Sequence, residues 1–410
     1  MSITRRQFLK SGMALVSIGL AVPSVFARAV SLAEREGGPS AARDLTLVVV
    51  QMAGGNDGLN TVIPYADASY RTNRPRLGID DEDILHLGDR IGLHPGLAAM
   101  KELWDAGKLA IIEGVGYPGP NRSHFRSMEI WQNANPESSG RIGWLGRWFD
   151  AYLAADPHIF RGINIGNGLP LSLVAAQTSI PSVAGLQGYR ILAPGKPGTE
   201  TERTATLLKL YSGYPVTSPY AALLEATAAG AYESSTELQK GSQDYQPSVE
   251  YPKTPFGTGL RLLAQVITKD LGARVCHIAV GGYDTHSNQK PVQASNLTIL
   301  AEGLRAFYKD LEAKGKASDV LIMTWSEFGR RVQENASNGT DHGTASPQFI
   351  LGGQVKGGVY GEPPSLTDLD QGDLKYTTDF RSVYATILEK WLGAVPEDVL
   401  GGGFPALGFI

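Results

Sequence analysis

Five short stretches of continuous hydrophobic residues occur along the chain, and polar or glycine-rich segments follow them. Such runs lack the alternation of a half-exposed strand, and they are typical of strands that are buried on both faces of a parallel sheet. We predict these strands at residues 45–52, Leu109–Val115, Val275–Val280, Val320–Trp325 and Gln348–Leu351.

Helix-like stretches lie between and around these strands. They predict helices at Gly96–Ala106, Arg126–Asn133, Gly259–Leu271, Val292–Ala313 and Asp379–Leu392. Because apolar strands alternate with helices, the expected fold class is α/β, with a doubly wound, mostly parallel sheet flanked by helices.

One part of the chain departs from this alternation. Residues 165–255 contain scattered Gly, Pro, Thr, Ser and Ala, and within them only Glu200–Leu210 and Pro219–Gln239 resemble helices. We interpret this region as an insertion or cap on the main sheet rather than as an independent domain.

The N-terminal segment is typical of an export signal. Paired Arg5 and Arg6 precede a moderately apolar run at Met13–Phe26, and Ala27-Arg28-Ala29 offers a cleavage site. This pattern resembles a twin-arginine signal peptide, and the run is too short for a permanent membrane span. We therefore expect a signal at 1–29, a single domain at 30–410, and a periplasmic or secreted protein.

Removal of that signal changes the charge balance. The whole chain has 37 basic and 41 acidic side chains, a net charge of −4, whereas residues 1–29 contain four basic side chains and no acidic one. The mature protein would therefore carry −8, which argues against a nucleic acid partner. The lone cysteine, Cys276, excludes an internal disulfide.

Polar clusters follow the predicted strands, where open α/β sheets bind ligands. They occupy residues 54–60, 121–127, 281–286, 326–331 and 341–343. Carboxylates and histidines at successive strand ends would converge on one small volume and suit a divalent metal ion. The predicted metal ligands are Asp57, Asp284, His286, Glu327 and His342.

Considered alone, three of the predicted ligands could have a purely structural role. Asp57 could be a turn residue that bonds to its own backbone, and His286 could be a solvated loop histidine. Glu327 could pair with Arg330 at helical spacing. The convergence of the whole set favours a metal site over these separate interpretations.

The cluster at 121–127 adds groups suited to covalent chemistry. Ser123 lies at the predicted start of a helix, where N–H groups favour an anion, and a metal could activate its hydroxyl. Arg122 and Arg126 could clamp a phosphate or sulfate group. The alternative is that Ser123 only caps the helix and that Arg126 pairs with Glu129 at the surface.

Three other residues are assigned to structure rather than to chemistry. Cys276 and His277 lie inside a predicted strand, so we expect both to pack in the core. His94 precedes Pro95 and is expected to open a helix.

Four segments together resemble a known family. They are Val49–Thr61, Gly116–Met128, Gly281–Gln289 and Trp325–Ala345. These segments resemble the twin-arginine exported bacterial proteins called domain of unknown function 1501, over nearly all of the mature chain. That family is distantly similar to the alkaline phosphatase-like superfamily, which includes sulfatases, nucleotide pyrophosphatases and cofactor-independent phosphoglycerate mutases.

The resemblance implies an alkaline phosphatase-like fold and an order of functional parts along the chain. The order is a first aspartate, a nucleophile at a helix start, an Asp and His pair, a later acid and a final histidine. The matching residues are Asp57, Ser123, Asp284, His286, Glu327 and His342.

The sequence departs from the superfamily pattern at three points that bear on the metal count and on catalysis. Asp284 and His286 stand two residues apart instead of four, and Phe328 occupies the place of a histidine, so a second ion would lose a nitrogen ligand. Ser123 lies in Asn-Arg-Ser-His, outside the usual nucleophile signatures, and Ser127 is one turn away. One or two ions are therefore expected.

The leading hypothesis is an exported metal-dependent hydrolase of a small anionic ester, either a phosphate or a sulfate, with zinc, manganese or calcium as the ion. Its expected catalytic residues are the nucleophile Ser123, the leaving-group acid His124 and the charge-neutralising Arg122. Its expected substrate contacts are Asn56, Asn121, Arg126 and Arg330. The alternative is a superfamily scaffold that binds or matures another secreted protein.

Overall fold

The computed structural model describes residues 45–154, 160–185 and 245–410, and the single positions 202, 203, 205, 206, 209, 210, 232, 235, 236 and 238. The predicted signal at 1–29 and most of the predicted insertion at 165–255 lie outside the described residues, including most of its helix-like stretch Pro219–Gln239 and part of Glu200–Leu210. Among the residues described, no helix is long and apolar enough to cross a membrane.

The strands and α-helices of the described ranges are numbered separately, each in chain order. The strands are β1 (Thr46–Met52), β2 (Val62–Ile63), β3 (Leu85–His86), β4 (Gly92–Leu93), β5 (Leu109–Gly116), β6 (Gly162–Ile165), β7 (Ser182–Val183), β8 (Val275–Val280), β9 (Val320–Trp325), β10 (Ser346–Gly352), β11 (Gly358–Tyr360), β12 (Leu369–Asp370), β13 (Asp373–Leu374) and β14 (Thr378–Asp379). The α-helices are α1 (Ala68–Asn73), α2 (Ala98–Asp105), α3 (His124–Asn133), α4 (Trp144–Tyr152), α5 (Pro255–Thr268), α6 (Gln289–Ala313), α7 (Phe380–Lys390) and α8 (Pro396–Leu400).

A mostly parallel sheet organises the described part of the chain. Its strand order is β11-β5-β10-β9-β1-β8-β6-β7, and β14 also pairs with β5. Within this sheet β10 runs antiparallel to both of its neighbours, β5 and β9, and the other pairings are parallel. The carboxyl ends of β1, β5, β8 and β9 therefore lie at the same edge as the amino end of β10.

The continuous hydrophobic run of β1 contributes to a core on each side of the sheet. Val48 and Val50 pack in a cluster that includes residues of α2, α5 and α6. Leu47 and Val49 point the other way, into a cluster that includes residues of α3, α4 and α7. Both faces of the strand are covered by helices, which explains why its sequence shows no polar alternation.

The predicted α/β fold class is confirmed. All five predicted core strands are present as β1, β5, β8, β9 and β10, and all five predicted helices overlap α2, α3, α5, α6 and α7. The sequence did not predict β6, β7, β11 and β14. These strands are two to four residues long, which is too short for a hydrophobic period to be recognised.

The three residues assigned to structure have the expected surroundings. Cys276 and His277 are buried in β8, and burial raises the pKa of the Cys276 thiol. His94 precedes a short 3₁₀ turn, and its Nδ1 accepts a hydrogen bond of 2.9 Å from the backbone N–H of Gly96.

Candidate metal centre

The predicted polar clusters meet at the sheet edge formed by the carboxyl ends of the parallel strands. Gly54, after β1, approaches the loop after β8 so closely that a Cβ at this position would lie 2.5 Å from the backbone nitrogen of Asp284. Its φ of +123° also favours glycine. The loops after β1 and β8 therefore pack backbone against backbone beside the site.

The centre of the site is a cluster of His124, Asp284 and His342. Each side chain offers one ligand atom, and these atoms all lie within 4.8 Å of one another. Asp284 Oδ2 is 3.4 Å from His124 Nε2, and its Oδ1 is 3.1 Å from His342 Nε2. The start of α3 and the loops after β8 and β9 thus bring nitrogen and oxygen donors to one point.

His286 adds a third imidazole to this cluster. Its Nε2 lies 3.1 Å from Asp284 Oδ1 and 2.9 Å from His342 Nε2. Three Nε2 atoms therefore surround one carboxylate, an arrangement that a bound cation would stabilise.

Each of the three imidazoles has an acceptor at its other nitrogen. Donation of the Nδ1 proton to that acceptor leaves the Nε2 lone pair free for a metal, and such partners usually orient ligating histidines. The acceptors are Glu327 Oε1 for His124 at 2.8 Å, the carbonyl of Arg122 for His342 at 2.8 Å, and Asp341 Oδ1 for His286 at 3.2 Å.

Asp284 is held in its ionised form. Its partial burial acts to raise the pKa, but the nearby side chains of Arg330 and His342 and the charge of Arg330 outweigh burial and lower the pKa of Asp284 to about 2. The bond from Arg330 Nη2 to Asp284 Oδ1 is 2.7 Å long. A carboxylate that is charged at neutral pH is ready to bind a cation.

Arg330 is predicted from the sequence to contact substrate, but in the structure its side chain has other partners. Its side chain is fully buried, and beyond Asp284 it donates to the carbonyl groups of four residues. They are Gly54, Gly55, Tyr283 and Thr340. Because its donors are directed into the protein, Arg330 positions Asp284 and the surrounding loops.

Glu327 is not one of the three clustered residues, and it contacts the cluster through His124. Its buried Oε1 accepts hydrogen bonds from the backbone N–H of Gly54 at 2.9 Å and from His124 Nδ1. The geometry therefore makes Glu327 the orienting partner of His124, and His124 takes the ligand position that the sequence assigned to Glu327. This also changes the expected role of His124, because both of its nitrogens face groups of the site.

Asp57 is not one of the three clustered residues. Its buried carboxylate is paired with the buried guanidinium of Arg74 and accepts a hydrogen bond from Gln289, both through Oδ2. The role of Asp57 as a metal ligand therefore stays a prediction, and the structure gives its charge another partner. The positive charge beside Asp57 comes from Arg74, which lies 17 residues further along the chain and has no metal-site pattern in the sequence.

The two serines of the second cluster have different surroundings. Ser123 is exposed at the start of α3, and its side chain makes no capping hydrogen bond. Ser127 is fully buried, where its hydroxyl contacts the Tyr117 hydroxyl at 2.8 Å and the carbonyl of Glu327. Of the two, Ser123 is the one accessible to a substrate.

Three predicted substrate contacts have other partners. Arg126 pairs with Glu129 at 2.8 Å, the surface pairing that the sequence offered as an alternative. Asn56 is buried and donates to Thr61 Oγ1. Asn121 uses Oδ1 to accept the backbone N–H of Ser123 at 2.8 Å, so it shapes the loop that carries Ser123.

Two features beside the cluster were not recognised from the sequence. Asp341 precedes His342 in the chain, and its adjacency to a predicted ligand was the available signal. Asp373 is fully buried in the β12–β13 hairpin and forms ion pairs with Arg122 and Arg331. No motif marked Asp373, because only folding brings this hairpin to the site.

Phe328 fills the space beside the histidines. Its ring centroid lies 4.5 Å from that of His342 and 4.9 Å from that of His124. A Cβ on Gly55 would lie 2.2 Å from the Phe328 ring, so Gly55 admits the ring at this position. An apolar ring here gives no additional ligand, in agreement with the departure noted in the sequence.

The residues present fit a transition-metal ion. The imidazole nitrogens of His124 and His342 and the carboxylate of Asp284, with the His286 imidazole next to them, form a donor set typical of zinc and also suited to manganese. Calcium prefers six to eight oxygen ligands, which this cluster does not offer. The calcium option is therefore the weakest of the three expected ions.

Fold and site define an α/β protein with a histidine and aspartate cluster at the carboxyl edge of a mostly parallel sheet. The family model described as protein of unknown function (DUF1501) matches residues 85–402. The chain belongs to this family, as the sequence resemblance indicated. No functionally curated protein matches the sequence at a significant level.

Several solved structures are similar to this chain at low identity. The PsFucS1 sulfatase from Pseudoalteromonas sp. is 12% identical, with 90% of this chain and 70% of that chain covered and a TM-score of 0.39. A phosphonate monoester hydrolase of Agrobacterium radiobacter is 8% identical, with coverages of 88% and 78% and a TM-score of 0.38. A protein in the alkaline phosphatase superfamily from Vibrio parahaemolyticus is 9% identical, with coverages of 88% and 70% and a TM-score of 0.36.

Proposed function

We propose that this protein is an exported, metal-dependent hydrolase of a phosphate or sulfate ester. The observation that carries the proposal is the convergence of three imidazole nitrogens on the ionised carboxylate of Asp284; one of these imidazoles, His124, directly follows the exposed Ser123 in the chain. The paired Arg5 and Arg6 support export by the twin-arginine pathway and a periplasmic or secreted location.

The proposed ligands are Asp284, His124, His342 and His286. A bound zinc or manganese ion would neutralise ester oxygens and lower the pKa of a nucleophilic hydroxyl. Glu327 and the carbonyl of Arg122 hold two of the imidazoles in the orientation that directs Nε2 at Asp284. One ion is supported better than two, because Phe328 and the Asp57–Arg74 pair take the places where further ligands were expected.

Ser123 is the proposed nucleophile. Its hydroxyl would lose a proton to solvent as Oγ forms a bond to phosphorus or sulfur, and the alcohol would leave with a proton taken from solvent. Water would then hydrolyse the seryl ester, release phosphate or sulfate and restore the serine hydroxyl. Exposure of Ser123 leaves its hydroxyl accessible, and Ser123 directly precedes the clustered residue His124 in the chain. Arg122, also half-exposed, remains the proposed group for neutralising nonbridging oxygens.

Purified protein with a quantified metal content provides the test. Turnover of aryl phosphates, phosphodiesters and aryl sulfates is measured for the wild type, Ser123→Ala and Ser139→Ala, an exposed serine that serves as the matched control. We expect Ser123→Ala to lose turnover and Ser139→Ala to retain it. Equal turnover in all three proteins would exclude Ser123 as nucleophile.

A second candidate function is a binding or maturation role toward another secreted protein. Phe125 favours it, because this large apolar side chain directly follows His124 and is 86% exposed. Stoichiometric metal without turnover of any of these esters, together with loss of a secreted partner in Phe125→Ser, would support this role. Rapid ester turnover would exclude it as the main function.

A further inference from the structure

Two arginines near the candidate metal centre share one buried carboxylate. Asp373 is fully buried in the β12–β13 hairpin, whereas the Arg122 and Arg331 side chains are 38% and 40% exposed. Arg122 Nη2 forms a close ion pair with Asp373 Oδ2, and Arg331 Nε lies 3.6 Å from Asp373 Oδ1. One carboxylate therefore faces two guanidinium groups, which leaves one positive charge uncompensated in this group of three.

Both arginines are connected to the cluster through the chain. Arg122 precedes Ser123, and its carbonyl accepts the 2.8 Å hydrogen bond from His342 Nδ1. Arg331 follows Arg330, whose guanidinium binds Asp284. Their backbones are thus fixed to groups that contact the proposed ion, while parts of their side chains remain exposed.

Two other acidic residues lie near Arg122 and Arg331, but they do not neutralise the remaining positive charge as Asp373 does. Asp341, which is close enough to Arg331 to feel its charge, uses Oδ1 for Asn335 and His286. Asp370, in the same hairpin as Asp373, is exposed to solvent, where its charge is screened. The 3.6 Å separation between Arg331 and Asp373 is beyond ordinary hydrogen-bond length, so Arg331 has donor capacity for a ligand.

We propose that Arg122 and Arg331 form an oxyanion-binding subsite whose orientation is fixed by Asp373. This inference rests on the proposed function and narrows its substrate class to esters that present a second anionic oxygen group for Arg331, beside the nonbridging oxygens that Arg122 neutralises. Guanidinium groups recognise the oxygens of phosphate, sulfate and carboxylate through paired N–H donors. The buried carboxylate keeps the two guanidinium groups together, although their like charges repel.

Inorganic phosphate is the probe for the decisive experiment. Its affinity is measured by isothermal titration calorimetry for the full-length purified protein in metal-free and zinc-loaded forms. The proteins compared are the wild type, Arg331→Gln, Arg331→Lys and Arg305→Gln. Arg305 is an exposed arginine paired with Glu102 and provides a control with the same change in net charge.

We expect Arg331→Gln to weaken phosphate binding about tenfold or more in both forms, because a charge-assisted hydrogen bond is lost. Arg331→Lys should recover part of that loss, and Arg305→Gln should match the wild type. The Arg74 hydrogen bond goes to the carbonyl of Arg331, not to its side chain, so the substitution leaves that contact in place. Equal unfolding midpoints for the wild type and Arg331→Gln would show that the substitution leaves the fold and this contact intact.

Two outcomes would overturn the subsite. One is phosphate binding that is equally strong in Arg331→Gln and Arg305→Gln. The other is phosphate binding that requires zinc and ignores Arg331, which would place the anion on the ion alone. Neither outcome depends on turnover, so an active, Ser123-dependent hydrolase with an Arg331-independent phosphate affinity would refute the subsite and keep the proposed function.

Discussion

His124 Nδ1 lies 2.8 Å from Glu327 Oε1, although 203 residues separate the two along the chain. This contact joins the loop after β5 to the loop after β9. It also gives both residues other roles than expected: Glu327 orients the ring, and the ring offers Nε2 to the cluster. The pair therefore provides a direct test of the metal centre.

Glu327→Gln should weaken zinc binding about tenfold to a hundredfold, the usual cost of altering the partner of a ligating histidine. The amide is nearly the same size but uncharged, so it stabilises His124 less well as a ligand. Zinc affinity by competition with a chelating dye measures the effect. Glu102→Gln, at an exposed ion pair, is the matched control, and equal affinity in both variants would contradict the orienting role.

Asp284→Asn should remove most zinc binding, because this carboxylate contacts all three imidazoles. We expect the zinc content after dialysis to fall from about one ion per chain, as the four-donor site implies, to a small fraction of that value. Atomic absorption provides the measurement. Asp368→Asn, at the exposed pair with Lys375, should keep full zinc content, and retention of zinc by Asp284→Asn would refute the site.

Ser127→Ala should destabilise the fold, whereas Ser123→Ala should not. The buried Ser127 hydroxyl contacts the Tyr117 hydroxyl and the carbonyl of Glu327, and leaving such partners unpaired costs about 1–3 kcal/mol. The free energy of unfolding in urea measures the change. A larger loss of stability in Ser123→Ala than in Ser127→Ala would reverse this assignment.

Arg74→Met should cost about 3–5 kcal/mol of folding free energy, since it leaves the Asp57 carboxylate buried without its positive partner. The control is Arg305→Met, whose exposed ion pair should contribute no more than about 1 kcal/mol. Urea unfolding of both variants tests the difference. Similar stabilities would show that Asp57 does not depend on Arg74 for its charge balance.

Acid should destabilise the protein through two buried histidines. Burial lowers the pKa of His277 to about 4, and burial, partly opposed by the charge of Asp57, lowers that of His94 to about 4. Between the ordinary value of 6.5 and about 4, the unfolded chain gains protons that the folded protein does not bind. The free energy of unfolding should therefore fall as pH drops through this window, by at most about 1.4 kcal/mol per pH unit for each histidine.

Urea unfolding of the wild type and His277→Gln at several pH values between 7 and 4 tests this linkage. The variant should lose part of the pH dependence, because one of the two histidines no longer titrates. The carboxyl groups titrate in both proteins, so their contribution cancels when the pH dependence of one protein is subtracted from that of the other. An identical pH slope in the two proteins would contradict the neutral buried state of His277.

The sequence was sufficient for the parts of the structure that local pattern controls. A strand covered on both faces must be apolar at every position, as in β1, and an amphipathic helix must repeat its apolar residues, as in α6. The fold class follows from the alternation of these elements. The gathering of Asp284, His286 and His342 follows as well, because parallel strands place their carboxyl ends, and the loops after them, at one edge.

Only the tertiary structure decided which partners the other side chains have. Asp57 and Glu327 both follow core strands, yet one pairs with Arg74 and the other orients His124, because loop paths set where a carboxylate points. The Asp373 hairpin reaches Arg122 across some 250 residues of chain, a distance at which local sequence pattern carries no information. The sequence by itself therefore determined which loops meet, and long-range packing determined which atoms within those loops could bind an ion, hold a ligand in place or neutralise a buried charge.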